Sequence, residues 1–310
     1  MCELRLPDQL IGLAERRKIS ARDVRMLRSC MFGEQRLTRH EVESLLALDR
    51  SIDETCSSWD QLLIDAFANH LLGPLSGPQP VTKEDAEWFI HCISQKGVVE
   101  RPALFEALLA VMEKTDTVPE NLERLALHQV QLAVLSNRGP LAVAQNSWRP
   151  RAVAFEDVEL IRRILFIAGG DEDQRISRME AEFLLDLNDA TISDQNDETW
   201  SDLFVRAIAN HVVATSDEQR AGRFASLIMS AGVDEHNVWD VMVSSLRSLC
   251  SFNQLGAKRT FRLSQQAGNW LYERIRTDNR VDANERALLA FVERQTGSLP
   301  PHLRGFAEAA

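Results

Sequence analysis

Apolar side chains recur at a helical interval from Trp59 onward: Trp59, Leu62, Leu63, Ala66, Phe67 and His70 fall at i, i+3, i+4, i+7, i+8 and i+11. Trp200, Leu203, Phe204, Ala207, Ile208 and His211 repeat the same spacing. Each run predicts an amphipathic helix, with Ser57 and Ser58 before one and Asp197 and Thr199 before the other as candidate N-caps. Period-two alternation of β-branched and polar residues is scarce along the chain, and the single tyrosine adds nothing for a sheet. The fold class expected is all-α.

These two runs belong to a longer internal match. SSWDQLLIDAFANHLL (57–72) aligns without a gap on ETWSDLFVRAIANHVV (198–213), sharing the triplet Ala68-Asn69-His70 with Ala209-Asn210-His211. Upstream, QRLTRHEVESLLAL (35–48) faces QRISRMEAEFLLDL (174–187). Downstream, Trp88 faces Trp270, Ile93 faces Ile275, and Ala-Leu-Leu-Ala occurs in both. The order of segments is the same, so residues 19–137 and 153–304 read as two copies of one helical module. The expected organisation is a first module over 1–137, a linker over 138–152 marked by Gly139, Pro140 and Pro150, and a second module over 153–310 with an insertion at about 214–266.

GGDEDQRISRMEAEFLLDL (169–187) raises the question of calcium. With Ile176 at the apolar eighth position of a twelve-residue EF-hand loop, Asp171 takes position 3, Asp173 position 5, Ser177 position 9 and Glu180 position 12. Position 1 falls on Gly169, however, and position 6, where a glycine makes the sharp turn, is Gln174. A lost first carboxylate predicts weak binding. The matching segment of the first copy puts Phe32 at position 3, where no ligand is available, and a third echo keeps Asp278, Asp282 and Glu285 but starts on Arg274.

All three segments share Arg, an apolar residue, then Thr, Ser or Asp, with Glu three residues on: Arg36-Leu37-Thr38 with Glu41, Arg175-Ile176-Ser177 with Glu180, and Arg280-Val281-Asp282 with Glu285. A hydroxyl or carboxylate followed by Glu at that spacing is a capping box, so helix initiation accounts for the shared residues without a metal. Asp171, Asp173, Ser177 and Glu180 remain the candidate metal ligands, and calcium the one cofactor to which they point.

The polar Asp/Gly turn, the small apolar residue, the Ser, Thr or Asp and the following Glu, set in helical modules with two such turns, resemble the tellurite-resistance TerB-like domain family. The resemblance runs through 35–46, 174–185 and 279–289, and uncharacterised bacterial proteins with a tandem arrangement are similar around Trp200 to His211. It implies acidic, metal-binding helical modules linked to stress responses. Gln35, Gln174 and Asn279 stand where that family tends to place glycine.

Composition narrows the function classes. A 310-residue chain with 45% hydrophobic residues has ample material for a core. A formal charge of −11 opposes binding to a nucleic-acid backbone, and short basic clusters such as Arg16-Arg17-Lys18 read as solvated faces. No apolar stretch approaches the length of a membrane span, and the start of the chain lacks signal-peptide character. Five cysteines without a C-x-x-C pair read as reduced, mostly buried thiols, which fits a cytoplasmic protein.

Catalytic motifs are missing. His40-Glu41 has Ser44 where a zinc-protease motif needs its second histidine, and there is no P-loop, nucleophile elbow or dinucleotide fingerprint. His70 and His211 read as packed, hydrogen-bonded core histidines, and the paired tryptophans as core anchors. The functional expectation is therefore a non-enzymatic helical scaffold that binds protein partners, with at most weak calcium affinity. Its rival is a metal-dependent hydrolase whose carboxylates and His211 meet between the modules.

Overall fold

The computed structural model describes residues 12–32, 36–73, 80–145, 151–169, 175–191, 195–216, 263–277 and 281–308. It is mostly helical. The chain divides into two compact units, Met1–Trp148 and Arg149–Ala310. Most of the insertion expected at 214–266 lies outside the described residues.

In the first unit the helices include α1 (Ala21–Met31), α2 (Arg39–Ser51), α3 (Ser57–Leu72), α4 (Lys83–Ile93), α5 (Pro102–Lys114), α6 (Glu120–Ser136) and α7 (Pro140–Gln145). The core forms around α3 and α5. On α3 every position of the predicted stripe is buried, and α5 buries Leu104, Phe105, Leu108, Leu109 and Met112. Helices α1 and α2 also pack on α3, whereas α6 and α7 cover α5. Fully burying a side chain of this size contributes roughly 1.5–3 kcal/mol, so the Trp59, Leu62, Leu63 and Phe67 row is a large contributor to the stability of this unit.

Local chemistry decides where the helices start and stop. Ser20 with Asp23 and Thr38 with Glu41 form complete capping boxes at α1 and α2, and Thr82 caps α4. The N-cap of α3 is Cys56, which makes no side-chain cap bond, so Ser57 and Ser58 begin the helix instead of capping it. Gly73, at φ +84°, ends α3 in a conformation open to glycine and strained for other residues. Pro140 starts α7 inside the predicted linker: its fixed φ suits a first helical turn, where its missing N–H is no loss.

A small hairpin interrupts the helices. Strands β1 (Ser94–Gln95) and β2 (Val98–Val99) pair antiparallel across Lys96 and Gly97, both at positive φ. Fully buried Gln129 on α6 holds the hairpin: its Oε1 accepts from Val99 N and its Nε2 donates to Gly97 O, each at 2.9 Å. Two-residue strands are too short to leave an alternating pattern, which is why the sequence reads as helical throughout.

Among the described residues of the second unit the helices are α8 (Phe155–Gly169), α9 (Arg178–Ala190), α10 (Glu198–Ser216), α11 (Gln265–Ile275), α12 (Ala283–Thr296) and α13 (Pro301–Glu308). Helix α10 is central and packs on α8, α9, α11 and α12. Capping boxes start α9 (Ser177 with Glu180) and α12 (Asp282 with Glu285), and Asp197 Oδ1 accepts from Thr199 N at 2.9 Å as α10 begins. Among the described residues no helix is long and apolar enough to cross a membrane.

Each unit buries a polar junction beside its central tryptophan. In the first, Trp59 Nε1 donates to Asp49 at 2.7 Å, Arg101 also pairs with Asp49, and its second nitrogen reaches Asp60 at 2.6 Å. In the second, Trp200 Nε1 donates to Asn188 Oδ1 at 3.2 Å, Asn284 donates to the same oxygen at 2.8 Å, and Asn188 Nδ2 donates to Asp282 at 2.6 Å. An arginine–aspartate pair in one unit thus corresponds to an amide-centred junction, bonded to the Asp282 carboxylate, in the other.

Asp49→Ala leaves both the indole N–H and the Arg101 guanidinium short of a buried acceptor and should cost about 3 kcal/mol, the low end for a broken buried pair because Arg101 is partly exposed. Asp49→Asn keeps an acceptor for Trp59 and should cost about half as much. Denaturant midpoints of the two variants against the wild type measure both.

Candidate functional site

Leu37 and Ile176 stand immediately before the N-caps of α2 and α9 and are buried. A buried backbone amide and carbonyl outside regular structure each need a partner. Here the partners are side chains. Asn69 Oδ1 accepts from Leu37 N at 2.9 Å, while His70 Nδ1 donates to Leu37 O at 2.6 Å. In the second unit Asn210 Oδ1 accepts from Ile176 N at 3.0 Å and His211 Nδ1 donates to Ile176 O at 2.9 Å. An Asn-His dipeptide near the end of α3 or within α10 thus clamps both polar groups of one residue, as a neighbouring strand would.

The capping box then fixes the next residues. Glu41 Oε2 accepts from Thr38 N at 2.7 Å, and Glu180 Oε2 from Ser177 N at 2.6 Å, while each hydroxyl accepts from the N–H of its glutamate. In the first unit Arg36 adds a third tie, donating to the carbonyls of His70 and Leu71 at the C-terminal end of α3, where the helix dipole favours a cation.

Both histidines are held neutral. Burial lowers the pKa of His70 and of His211 below the ordinary histidine value of 6.5, outweighing the pull of the carbonyl each one bonds. Donation from Nδ1 to a carbonyl fixes the tautomer with its lone pair on Nε2. Trp88 and Trp270 stand edge-on to the two rings, each at 4.7 Å. They are half-buried partners of the histidines and not core anchors; Trp59 and Trp200 alone among the described tryptophans are fully buried.

Around Trp88 the charges are paired. Its indole N–H donates to Glu43 at 2.9 Å, Arg39 lies over its ring at 5.4 Å, and Arg39 bonds Asp85 at 2.8 Å. Burial pushes the Asp85 carboxyl up, but the bonds from Arg39 and Thr82 outweigh it and leave the group below its usual value.

Of the four candidate metal ligands, Asp171 and Asp173 lie outside the described residues. Ser177 and Glu180 are the N-cap and third residue of α9, engaged with each other. Among the described residues no three His, Cys, Asp or Glu side chains are grouped to hold a metal ion. The thiols depart from expectation: Cys92 is buried, which raises its pKa to about 11, but Cys30 and Cys56 are only half-buried.

Asn69 and Asn210 are the residues whose role sequence reasoning missed. The repeated Ala-Asn-His triplet was itself the signal, since an amide beside an imidazole supplies the acceptor and donor that one exposed peptide unit requires. Compared with known protein families, curated proteins and solved structures, the chain gives no match.

Asn210→Ala strands the buried Ile176 N–H and should cost about 1–3 kcal/mol. Ser177→Ala removes one cap acceptor at about 1 kcal/mol. Thermal melts of the single and double variants measure these costs. Because both residues hold the same turn, the double variant should fall short of their sum.

Proposed function

We propose that the chain is a tandem duplication of a TerB-like helical module that works without catalysis, as a cytoplasmic, stress-associated scaffold for protein partners. The observation that carries this reading is the use of the residues recurring in both halves. The apolar and hydroxyl residues of each turn, the Glu that follows and the Asn-His pair are engaged in starting a helix and clamping the turn before it. Their recurrence supports a duplicated folding unit whose surfaces are left to interact.

Calcium affinity at Asp171, Asp173, Ser177 and Glu180 is weak in this reading. Glu180 would have to leave its capping box, at a cost of about 1 kcal/mol, to reach an ion already short of its first carboxylate. A metal-dependent hydrolase has one observation in its favour: His211 donates from Nδ1 to a backbone carbonyl, an orientation shared with many metal-binding histidines.

Calorimetric titration tests the first reading. Calcium should bind no tighter than about 10⁻⁴ M, the range of the weakest EF-hand modules, and Asp171→Asn with Asp173→Asn should remove what heat there is. A dissociation constant below about 10⁻⁶ M would refute weak binding. Stoichiometric transition metal in the purified chain, lost in His211→Ala with helicity intact, would favour the hydrolase instead.

A further inference from the structure

His70 is the one histidine of the first unit that joins two elements at a buried contact. Its Nδ1 holds Leu37 O at 2.6 Å, and its buried Nε2 has no hydrogen-bond partner among the described residues. A second proton would enter at Nε2 and find no acceptor there.

The charged groups facing the ring act both ways: Arg36 and Arg39 oppose that proton, whereas Asp85 favours it. From the turn and α2 come Arg36, on the carbonyls of His70 and Leu71, and Arg39, over Trp88. From α2 also comes Glu43, which accepts from Trp88. From α4 come Asp85, bonded to Arg39 and Thr82, and Glu84, 3.5 Å from Arg39. Every acid near the imidazole is engaged by another group, and both guanidinium groups repel an imidazolium.

We propose that His70 is an acid-sensitive latch: its protonation releases the turn over 36–38 from the C-terminal end of α3 while the α3 and α5 core stays folded. The core does not depend on the latch, because Trp59, Leu62, Leu63 and Phe67 lie up to three turns before His70 and are buried against other elements. Opening frees Leu37, the bond its N–H donates to Asn69 and the start of α2 together, since all converge on one residue.

The pH window follows from the direction in which the group is shifted. Burial holds His70 below 6.5 in the closed state, so the open state takes the proton more readily. The latch is therefore fully closed above 6.5 and weakens as the pH falls below that value toward the depressed closed-state pKa.

Residue-resolved amide exchange on the full chain at pH 7.5 and pH 5.0, corrected for intrinsic rates, tests the idea. Protection of the Leu37 amide should drop at pH 5.0, by at most about thirtyfold, the limit for a group that cannot protonate while closed. Amides of Leu104, Leu108 and Met112 should hold. His70→Gln, which keeps a donor for Leu37 O but cannot be protonated, should abolish the drop. Should that variant fail to fold, the imidazole resonances of His70 in the wild type serve instead and should titrate together with the loss of Leu37 protection. Parallel loss at Leu37 and across α5, an unchanged drop in His70→Gln, or His70 titrating while Leu37 stays protected would each overturn the proposal.

Discussion

A single buried residue in front of a helix imposes the constraint on which the placement of α2 and α9 depends. Leu37 and Ile176 must enter the core to anchor α2 and α9, yet at that point the backbone is neither helix nor sheet, so its N–H and C=O would be buried without partners. An asparagine and a histidine from the neighbouring helix supply them. The clamp sets where the next helix begins, and the capping box completes what it starts. The long helix that carries the clamp also carries the tryptophan row, so the turn and the core share one rigid element.

Much of the architecture was legible because it rests on local rules. The spacing of Trp59 through Phe67 named α3 and its buried face, and the interval from Thr, Ser or Asp to glutamate named the starts of α2, α9 and α12. What escaped depends on tertiary context. Asn69 and His70 were visible as a repeated pair, but their target lies more than thirty residues away in the chain and no period reports it. Gln129 and its hairpin escaped for the same reason, as did the part played by Asp49 and Asn188 beside the tryptophans. Ser57 looked like a cap by composition, yet α3 begins after Cys56 without one.

The candidate site shows how residues suited to metal or acid-base chemistry can be occupied by folding. Glu180 has the carboxylate of a calcium ligand and His211 the imidazole of a general base, but each makes a bond that its unit requires. Neutral histidine is part of that arrangement, since burial favours the uncharged ring and the carbonyl needs only one N–H from it.

The unlike junctions beside Trp59 and Trp200 carry a further consequence for two segments of matching sequence on one chain. Similar neighbours invite misassembly in which a helix of one docks into the other. If α12 took the place of α5, Asp282 would bring a carboxylate to Asp49 with no guanidinium between them, and α5 in the place of α12 would present Arg101 to an amide. One crossed pairing would set two carboxylates together and the other would leave Arg101 facing an amide, so the divergence at these few positions disfavours an exchange of α5 and α12.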